Sequence, residues 1–239
     1  MLSDLYKVEI DNVLILKRVQ IKFCQKFTYK NYKDVNLAAP GAYQPYNAAL
    51  ALEALKVLKK YEAGIKLDDT VILDAISRVT IPFRMEKICD DPLFYLDGAH
   101  NPDAALRLRE TLEAMFSAHK LIFIIGMFRD KDYREVIRIM APLASHIITV
   151  QTPDSARALP AMELRDRILE ESRSNPGLSN LSESNVEALS IEEAAKRSIS
   201  LAKEYKMQGD DPCILAFGSL SYLKYIRANL HVNLIADLP

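Results

Sequence analysis

The segment from Asp97 to Asn101 holds the densest group of residues that could carry chemistry. A carboxylate is followed by a glycine, an imidazole (His100) and an amide, and Pro102 then favours the first turn of a helix. The unpaired N–H groups and the positive dipole end of such a helix attract an anion. Asp97 could accept hydrogen bonds from hydroxyls such as those of a ribose. Asn101 could instead be a simple helix cap and His100 a solvated loop residue, but the grouping favours a functional site.

Two later segments combine a glycine with polar side chains. The segment from Gly126 to Asp132 carries four alternating charges, and charge alone favours a solvated loop crossed by ion pairs. In the segment from Gly218 to Tyr222, Ser219 and the backbone amides of a helix start could hold a carboxylate or a phosphate. Ordinary capping of the helix by Ser219 is an equally good interpretation.

Arg84 lies in the segment Pro82–Glu86, where the chain pattern changes. An arginine on a linker between two domains can bind a phosphate with two N–H groups at once. A surface ion pair is an equally good interpretation from the sequence alone. The cysteine and histidine residues have none of the spacings of a metal site, so no metal ligand is predicted.

The elements that position these residues follow from four short apolar runs. Each run precedes polar loop residues and then a helical pattern, which predicts a mostly parallel sheet with helices on both faces, an α/β fold. The predicted strands are 93–96, 121–125, 147–150 and 213–217. Gly98, Gly126 and Gly218 each follow one of them, at the sheet edge where ligands bind in such folds. Ser190 and Glu193 predict a capping box for a helix to Tyr205.

Residues 1–81 have a different pattern. The runs 13–16 and 19–23 are predicted to be strands. Outside this part of the chain, residues 172–184 are predicted to form a polar surface loop. Residues 47–58 predict a helix with Asn47 as its N-cap, a stop at Gly64, and burial around most of its circumference. A short helix is expected over 70–79, opened by Asp68 or Asp69, and Pro82 then marks a domain boundary near 80–84.

Composition, charge and missing motifs together argue against several classes of function. The chain has 239 residues, a formal net charge of −1 and three cysteines. Near-neutral charge gives no general reason to bind nucleic acid or an anionic membrane. No apolar run approaches the roughly 20 residues of a membrane span, and the cysteines read as reduced thiols, so a cytoplasmic protein is expected. A GxxxxGK[ST] phosphate loop, a GxGxxG fingerprint, a GxSxG elbow and an HExxH motif are all missing from the sequence.

Taken together, the motifs resemble those of the folylpolyglutamate synthase / dihydrofolate synthase family of the Mur ligase superfamily. In chain order they read GAYQPYNAALALEAL, IPFRMEKI, DGAHNPDAALRL, IGMFRDKDY, TPDSARALPAMEL and FGSLSYL. The corresponding family patterns are GxHQxxNA, PGRME, DGAHNP, GMxxDKD, the RALP segment and GSLY. The resemblance spans roughly residues 35–230, and the DGAHN and DKD patterns favour the folate branch over the Mur peptide ligases.

This resemblance implies an ATP-dependent ligase that adds L-glutamate to folate or dihydropteroate through an acyl phosphate, with Mg²⁺ on the phosphates. Asn47 would contact the adenine side of ATP, Arg84 the phosphates and Asp97 the ribose. His100 would be catalytic, and His100 and Ser219 would lie near the incoming glutamate. Residues 1–81 would be a remnant of the ATP-binding central domain. Residues 82–239 would be the Rossmann-like C-terminal domain, which closes over the central domain.

The chain departs from the family patterns in several places. Phe83 replaces the glycine of PGRME, Tyr43 replaces the histidine of GxHQ, and GSLY reads GSLSY. The family's phosphate loop, its magnesium ligands and its modified lysine lie upstream of GxHQ, and nothing in residues 1–40 matches them. We therefore expect no ligation by this chain alone. It could be part of a ligase, a nucleotide- or glutamate-binding module that needs a separate phosphate-loop chain, or part of a related Mur-type peptide ligase.

Overall fold

The computed structural model describes residues 17–21, 24–61, 68–153 and 156–236. The chain divides into two compact units, one up to residue 81 and one from residue 82 onward. The break falls between Ile81 and Pro82.

The first unit contains a small antiparallel sheet and two helices. Its elements are β1 (Lys17–Ile21), β2 (Cys24–Tyr29), β3 (Tyr32–Leu37), α1 (Gln44–Tyr61) and α2 (Asp69–Arg78). The sheet order is β1-β2-β3. Phe27 and Val35 of the sheet pack with Leu52 of α1 and Ile72 of α2 in one apolar core. The predicted strand 13–16, residues 22–23 and the predicted stop at Gly64 lie outside the described residues.

Helix α1 differs from its prediction in two ways. It begins at Gln44, so Asn47 lies in its first turn and is not the N-cap. The expected burial of this helix between other elements is also wrong, since Leu50 and Leu58 are exposed while Leu52 is buried. Helix α2 matches its prediction, because the side chain of Asp68 caps it by accepting from the backbone N–H of Thr70 at 3.0 Å.

The second unit is built on a six-stranded sheet. Its strands are β4 (Glu86–Asp90), β5 (Leu93–Asp97), β6 (Lys120–Ile125), β7 (Ala144–Val150), β8 (Val186–Leu189) and β9 (Pro212–Phe217). The order across the sheet is β4-β5-β9-β6-β7-β8. Five strands are parallel, and β4 pairs antiparallel with β5 at one edge. The predicted mostly parallel sheet is confirmed.

Helices cover both faces of this sheet, as predicted. They are α3 (Pro102–Met115), α4 (Tyr133–Met140), α5 (Ala161–Ser174), α6 (Ile191–Met207) and α7 (Leu220–Ala236). Helices α6 and α7 pack on the face that carries Leu96 and Ile124. On the opposite face Tyr95 meets Phe116, at the end of α3, edge-on at 5.3 Å, and Thr149 donates to the carbonyl of Ala161 at the start of α5.

The predicted caps of α3 and α6 are present, while the predicted polar loop is only partly correct. The side chain of Asn101 accepts from Ala104 at the start of α3, and Ser190 and Glu193 form the capping box of α6. Residues 172–184 contain the end of α5 and a short 3-10 helix at 176–178. Leu178 and Leu181 in this segment are buried, so the segment is not a purely polar surface loop.

Three adjacent strands end in glycine at the carboxyl edge of the sheet. Gly98 follows β5, Gly218 follows β9 and Gly126 follows β6. Gly218 has φ +114°, and a Cβ atom there would lie 2.6 Å from the carbonyl oxygen of Gly126. Only glycine fits this turn without displacing the neighbouring backbone. The close approach brings the loops after β6 and β9 together.

Candidate functional site

A cleft of about 230 Å³ lies at this carboxyl edge of the second unit. Its lining residues are His100, Phe128, Lys131, Arg157, Ser219, Leu220 and Ser221. They come from the loops after β5, β6 and β7 and from the turn and first helical residues after β9, and these four strands are neighbours in the sheet. The fold therefore gathers four separate sequence segments around one opening.

His100 stands in the turn between β5 and α3. Its Nδ1 lies 2.8 Å from the carbonyl oxygen of Gly98. Because a carbonyl only accepts hydrogen bonds, Nδ1 carries the proton and donates. The neutral ring then keeps its lone pair on Nε2, which can accept a proton. The fold thus fixes the tautomer that a general base at this position needs.

Ser219 follows the glycine turn after β9. Its Oγ lies 2.9 Å from the Oγ of Ser221 and accepts from the backbone N–H of Ser221 at 3.3 Å. This local contact resembles the capping that the sequence suggested, and it leaves both hydroxyls on the cleft wall. Ser219 is almost fully buried, so it contacts the cleft as part of a rigid turn.

Two cationic side chains belong to the same cleft. Arg157 donates to Asp130 through Nε and one terminal nitrogen, at 3.3 and 2.6 Å. Its guanidinium also lies 4.4 Å from the ring centroid of Phe128. Lys131 forms no salt bridge with any residue in the described part of the chain. The cleft therefore has two cationic side chains in its wall, and Arg157 is held in place from two sides.

Backbone pairing holds the two cationic loops against each other. Phe128 and Ala158 form an isolated antiparallel bridge, the N–H of Arg129 donates to the carbonyl of Arg157 at 2.8 Å, and that of Leu159 to Met127 at 3.1 Å. Arg129 itself points to a different partner, Glu163, with two hydrogen bonds of 2.9 and 2.8 Å. The predicted ion-paired loop is present, but it also supplies the cleft.

Arg84 is carried by a tight turn that precedes β4. Phe83 and Met85 on either side of it have φ of +58° and +45°, a region that non-glycine residues seldom adopt. Asp97 holds this turn, since its Oδ2 accepts from the N–H of Met85 at 2.9 Å. The N–H of Gly98 donates to the carbonyl of Phe83 at 2.7 Å. Arg84 is exposed on the turn.

Helix α7 supports the same turn from the other side. Glu86 Oε2 accepts from the N–H of Phe83 at 2.8 Å and forms an ion pair with Arg227 of α7. The guanidinium of Arg227 lies 4.5 Å from the centroid of the Phe83 ring. These contacts allow a phenylalanine to occupy a position where the family pattern has glycine, because its ring is clamped between Arg227 and the core.

Asp97 is almost completely buried, at 2% exposure. Its Oδ1 accepts from the N–H of Ala99 at 2.8 Å, so both carboxylate oxygens bind backbone amides. Burial raises the pKa of Asp97, while the two amides and the nearby charge of Arg84 act in the opposite direction. The observed role of Asp97 is to join the turn of Arg84 to the end of β5. Its contact with a ribose stays a prediction.

Asn47 belongs to the first unit. It lines an apolar cavity of about 380 Å³ formed by α1, α2 and the end of β3. Its Nδ2 donates to Oε1 of Gln44 at 3.2 Å. The other amide atom of that glutamine, Nε2, is buried and has no hydrogen-bond partner among the residues that the structure describes. Two adjacent amides therefore stand in an otherwise apolar pocket.

The five predicted site residues thus fall into three places. His100 and Ser219 meet in the cleft, Arg84 and Asp97 form the adjoining turn, and Asn47 lies in the first unit. Sequence reasoning did not single out Lys131 or Arg157 as site residues. Both lie in segments already recognised as motifs, DKD and RALP, and their places after β6 and β7 are the signal that could have found them.

The described residues contain no group of three or more His, Cys, Asp or Glu side chains that could hold a metal ion. Among the same residues, no helix combines the length and apolar character needed to cross a membrane.

Residues 83–220 match the sequence profile of the family described as Mur ligase, glutamate ligase domain. The match covers more than half of the chain. The chain belongs to this family. His100, Lys131, Arg157 and Ser219 of the cleft all lie inside the matched range, as does Arg84. The glutamate ligase domain therefore contains the whole cationic part of the candidate site.

Curated relatives of this glutamate ligase domain agree with the predicted resemblance. The chain is 34% identical over 140 residues to folylpolyglutamate synthase of Lacticaseibacillus casei, covering 57% of this chain and 32% of the relative. It is 30% identical over 145 residues to dihydrofolate synthase/folylpolyglutamate synthase of Bacillus subtilis, covering 61% and 33%. The chain spans about a third of the length of these relatives.

Solved structures share the fold. Mycobacterium tuberculosis folylpolyglutamate synthase complexed with ADP and AMPPCP superposes with a TM-score of 0.73 at 23% identity, covering 94% of this chain and 48% of that one. E. coli FolC in complex with DHPP and ADP gives 0.63 at 22% identity, with 92% and 45% coverage. Both comparisons confirm the α/β architecture.

Proposed function

We propose that this chain is part of an ATP-dependent ligase that adds L-glutamate to folate or dihydropteroate through an acyl phosphate of the acid. The observation that carries the proposal is the cationic cleft with His100 and Ser219, inside a segment that belongs to the glutamate ligase domain family. The names of the relatives support folate-type acids as the substrate class. A cytoplasmic location is part of this proposal.

The cleft suits an amino acid with two carboxylates. Lys131 and Arg157 supply two positive charges, and Ser219 and Ser221 supply hydroxyl donors. The nucleophile of the reaction is the amino group of glutamate, which must lose a proton. His100 has Nδ1 engaged with Gly98, so its Nε2 can accept that proton. His100 is thus the proposed catalytic residue, and Ser219 a glutamate ligand.

The nucleotide would be bound by Arg84 and Asp97 of the second unit and by Asn47 of the first. Arg84 would bind ATP phosphates, for which its exposed guanidinium on a braced turn is suited. Asp97 would contact the ribose, since each of its oxygens accepts one amide and keeps a second lone pair. Asn47 would contact the adenine. Bound ATP supplies the phosphoryl group that activates the acid substrate.

The described residues contain no group of three or more His, Cys, Asp or Glu side chains that could hold Mg²⁺. The phosphate loop and the magnesium ligands of such a ligase would come from a segment other than the one that matches here. That segment could belong to the same protein or to a separate chain. The domain assignment is proposed with it: residues 1–81 as part of the central ATP-binding domain and 82–239 as the glutamate-binding domain.

An L-glutamate titration followed by NMR chemical shifts tests the proposed cleft. We expect saturable shifts for the wild-type chain that weaken about tenfold or more in Ser219→Ala, because a buried hydroxyl ligand is lost. The matched control is Ser200→Ala, whose hydroxyl lies on α6 and donates to the carbonyl of Lys196. Absence of saturable shifts in the wild-type chain would contradict a glutamate-binding cleft.

ATP binding is tested separately by calorimetry. Arg84→Met should weaken ATP binding, because the guanidinium is proposed to bind the phosphates. Arg107→Met is the matched control, since Arg107 is exposed on α3 and pairs only locally with Asp103. Equal affinities of the wild type and Arg84→Met would remove Arg84 from the nucleotide site.

A further inference from the structure

We propose that Arg227 of helix α7 is a positioning residue for the nucleotide site, because it holds the turn that presents Arg84 to the phosphates of ATP. This inference rests on the proposed function, in which Arg84 binds those phosphates. Arg227 acts through Arg84 and does not contact the nucleotide itself.

The turn around Arg84 needs support from outside. Phe83 and Met85, the residues on either side of Arg84, have φ of +58° and +45°. Residues other than glycine are strained in this region, because the Cβ atom crowds the neighbouring backbone. A turn with two such residues relaxes unless other contacts hold it, and relaxation would change the direction of the exposed Arg84 side chain.

Contacts with the end of β5 hold one part of the turn. The N–H of Met85 donates to the buried carboxylate of Asp97 at 2.9 Å. The N–H of Gly98 donates to the carbonyl of Phe83 at 2.7 Å. Neither contact involves the ring or the N–H group of Phe83, so these two groups depend on other residues.

Arg227 holds both groups from the side of α7. Its guanidinium lies 4.5 Å from the centroid of the Phe83 ring, which is a cation–π contact. It also forms an ion pair with Glu86, whose Oε2 accepts from the N–H of Phe83 at 2.8 Å. Without Arg227 the ring loses its cover, and Glu86 loses the cation that keeps its carboxylate beside that N–H. The backbone before Arg84 is then free to leave its positive φ.

The surroundings of Arg227 favour this indirect role over direct contact with a phosphate. Its Nε atom is buried, and its charge is already paired with Glu86. Arg84, by contrast, is exposed at the tip of the turn. Arg84 is therefore the group that meets the ligand, and Arg227 the group that fixes the backbone behind it.

A double-mutant cycle with ATP as the ligand tests whether Arg227 acts through Arg84. Calorimetry gives the dissociation constant of ATP for the wild-type chain, Arg227→Met, Arg84→Met and the double variant. We expect Arg227→Met to weaken ATP binding about fivefold or more in the wild-type background. In the Arg84→Met background the same change should alter the constant less than about twofold, because the residue that it positions is already lost.

Arg109 provides the matched control for a merely structural role. Its side chain is 35% exposed, close to the 31% of Arg227, and it also joins two helices. It pairs with Glu113 on α3 and donates to the carbonyl of Ile139 on α4 at 3.0 Å. Arg109→Met removes the same charge and should lower stability in urea unfolding, but it should leave the dissociation constant of ATP unchanged.

Amide hydrogen exchange reports on the turn without a ligand. The N–H of Phe83 should exchange about tenfold faster in Arg227→Met than in the wild type, because its bond to Glu86 is loosened. The N–H of Ala104 is the internal reference, since it also donates to a side chain, that of Asn101, at 2.8 Å. Its exchange rate should not change.

Three results would each overturn the role of Arg227. They are equal ATP affinity of the wild type and Arg227→Met, equal weakening by Arg227→Met with and without Arg84, and unchanged exchange at Phe83. Each of them leaves the proposed function intact as long as Arg84→Met weakens ATP binding. If the wild-type chain binds no ATP, or binds it equally well without Arg84, the proposed nucleotide site fails together with this inference.

Discussion

At the residue scale, Gly218 is constrained both by its backbone conformation and by its neighbours. Its φ of +114° favours glycine, and an added Cβ would also meet the carbonyl of Gly126 at 2.6 Å. We predict that Gly218→Ala lowers the free energy of unfolding by about 2–4 kcal/mol, since backbone strain and a backbone clash add. Urea unfolding measures this change.

Gly209 provides the control for that prediction. It has φ +86° at the end of α6, but nothing lies within 4 Å of an added Cβ. Gly209→Ala should therefore cost only the conformational strain, about 1 kcal/mol. Equal losses in the two variants would mean that the contact with Gly126 does not constrain the loop after β9.

The residues of the site show how far sequence reasoning reaches. Residue type and motif located His100 and Ser219, because an imidazole and a hydroxyl that closely follow buried parallel strands lie at the edge where ligands bind. They did not show that Asp97 binds two backbone amides or that Phe83 takes a positive φ. The bond from Asp97 to Met85 and the packing of Phe83 against Arg227 join residues that are distant in the chain, and no local pattern records them.

At the element scale, the strongly apolar strands could be predicted from the sequence, and the strands that mix polar and apolar residues could not. Strands β5, β6, β7 and β9 are buried on both faces and read as continuous apolar runs. Strands β4 and β8 lie at the two edges of the sheet, where most of their side chains are only partly buried or exposed, and their sequences EKICD and VEAL carry no clear period. The start of α1 was missed because Gln44-Pro45 precedes the run of strong helix formers.

The ion pair of Glu86 and Arg227 links the turn of Arg84 to helix α7. Both side chains are partly buried, at 23% and 31% exposure, so their interaction is screened less than a surface pair. A double-mutant cycle with Glu86→Gln and Arg227→Met should give a coupling free energy of about 1 kcal/mol in urea unfolding. The cycle for the exposed pair of Asp74 and Arg78 should give about 0.5 kcal/mol or less. Similar coupling in both cycles would argue against this link.

His146 joins β7 to β8 and α6, and it makes stability depend on pH. Burial lowers the pKa of His146 below its ordinary 6.5 and outweighs its hydrogen bond with Glu187. Arg197 shares that carboxylate and also lowers the pKa, whereas Glu204 raises it. The unfolded chain then binds the proton more tightly than the folded chain, so stability falls as the pH drops below 6.5.

The measurement is the free energy of unfolding at pH 7.5 and at pH 5.5 for the wild type and His146→Gln. Glutamine can keep a hydrogen bond to Glu187 but does not titrate, so the wild type should lose more stability on acidification than the variant does. The excess should not exceed about 1.4 kcal/mol per pH unit, the limit for one proton. Equal losses would show that His146 titrates alike in the folded and unfolded chain.

At the scale of the whole molecule, the two units differ in how completely each buries its own apolar surface. In the second unit, helices of the unit itself cover both faces of the six-stranded sheet. In the first unit, the described residues include several exposed large apolar side chains, among them Tyr46, Leu50 and Val71, beside an apolar cavity. Apolar surface of this extent is typical of a face that meets another protein segment.

We therefore predict opposite behaviour for the two parts when they are expressed separately. Residues 82–239 should unfold in urea as one cooperative transition, because the core of the six-stranded sheet lies entirely within them. Residues 1–81 should self-associate, because the small core under β2 and β3 leaves apolar side chains of α1 and α2 in water.

Far-ultraviolet circular dichroism in urea tests the prediction for residues 82–239, and sedimentation velocity at increasing concentration tests the prediction for residues 1–81. A monomeric first unit with a cooperative transition would show that its exposed apolar residues need no cover, and a gradual transition for residues 82–239 would show that the second unit depends on the first.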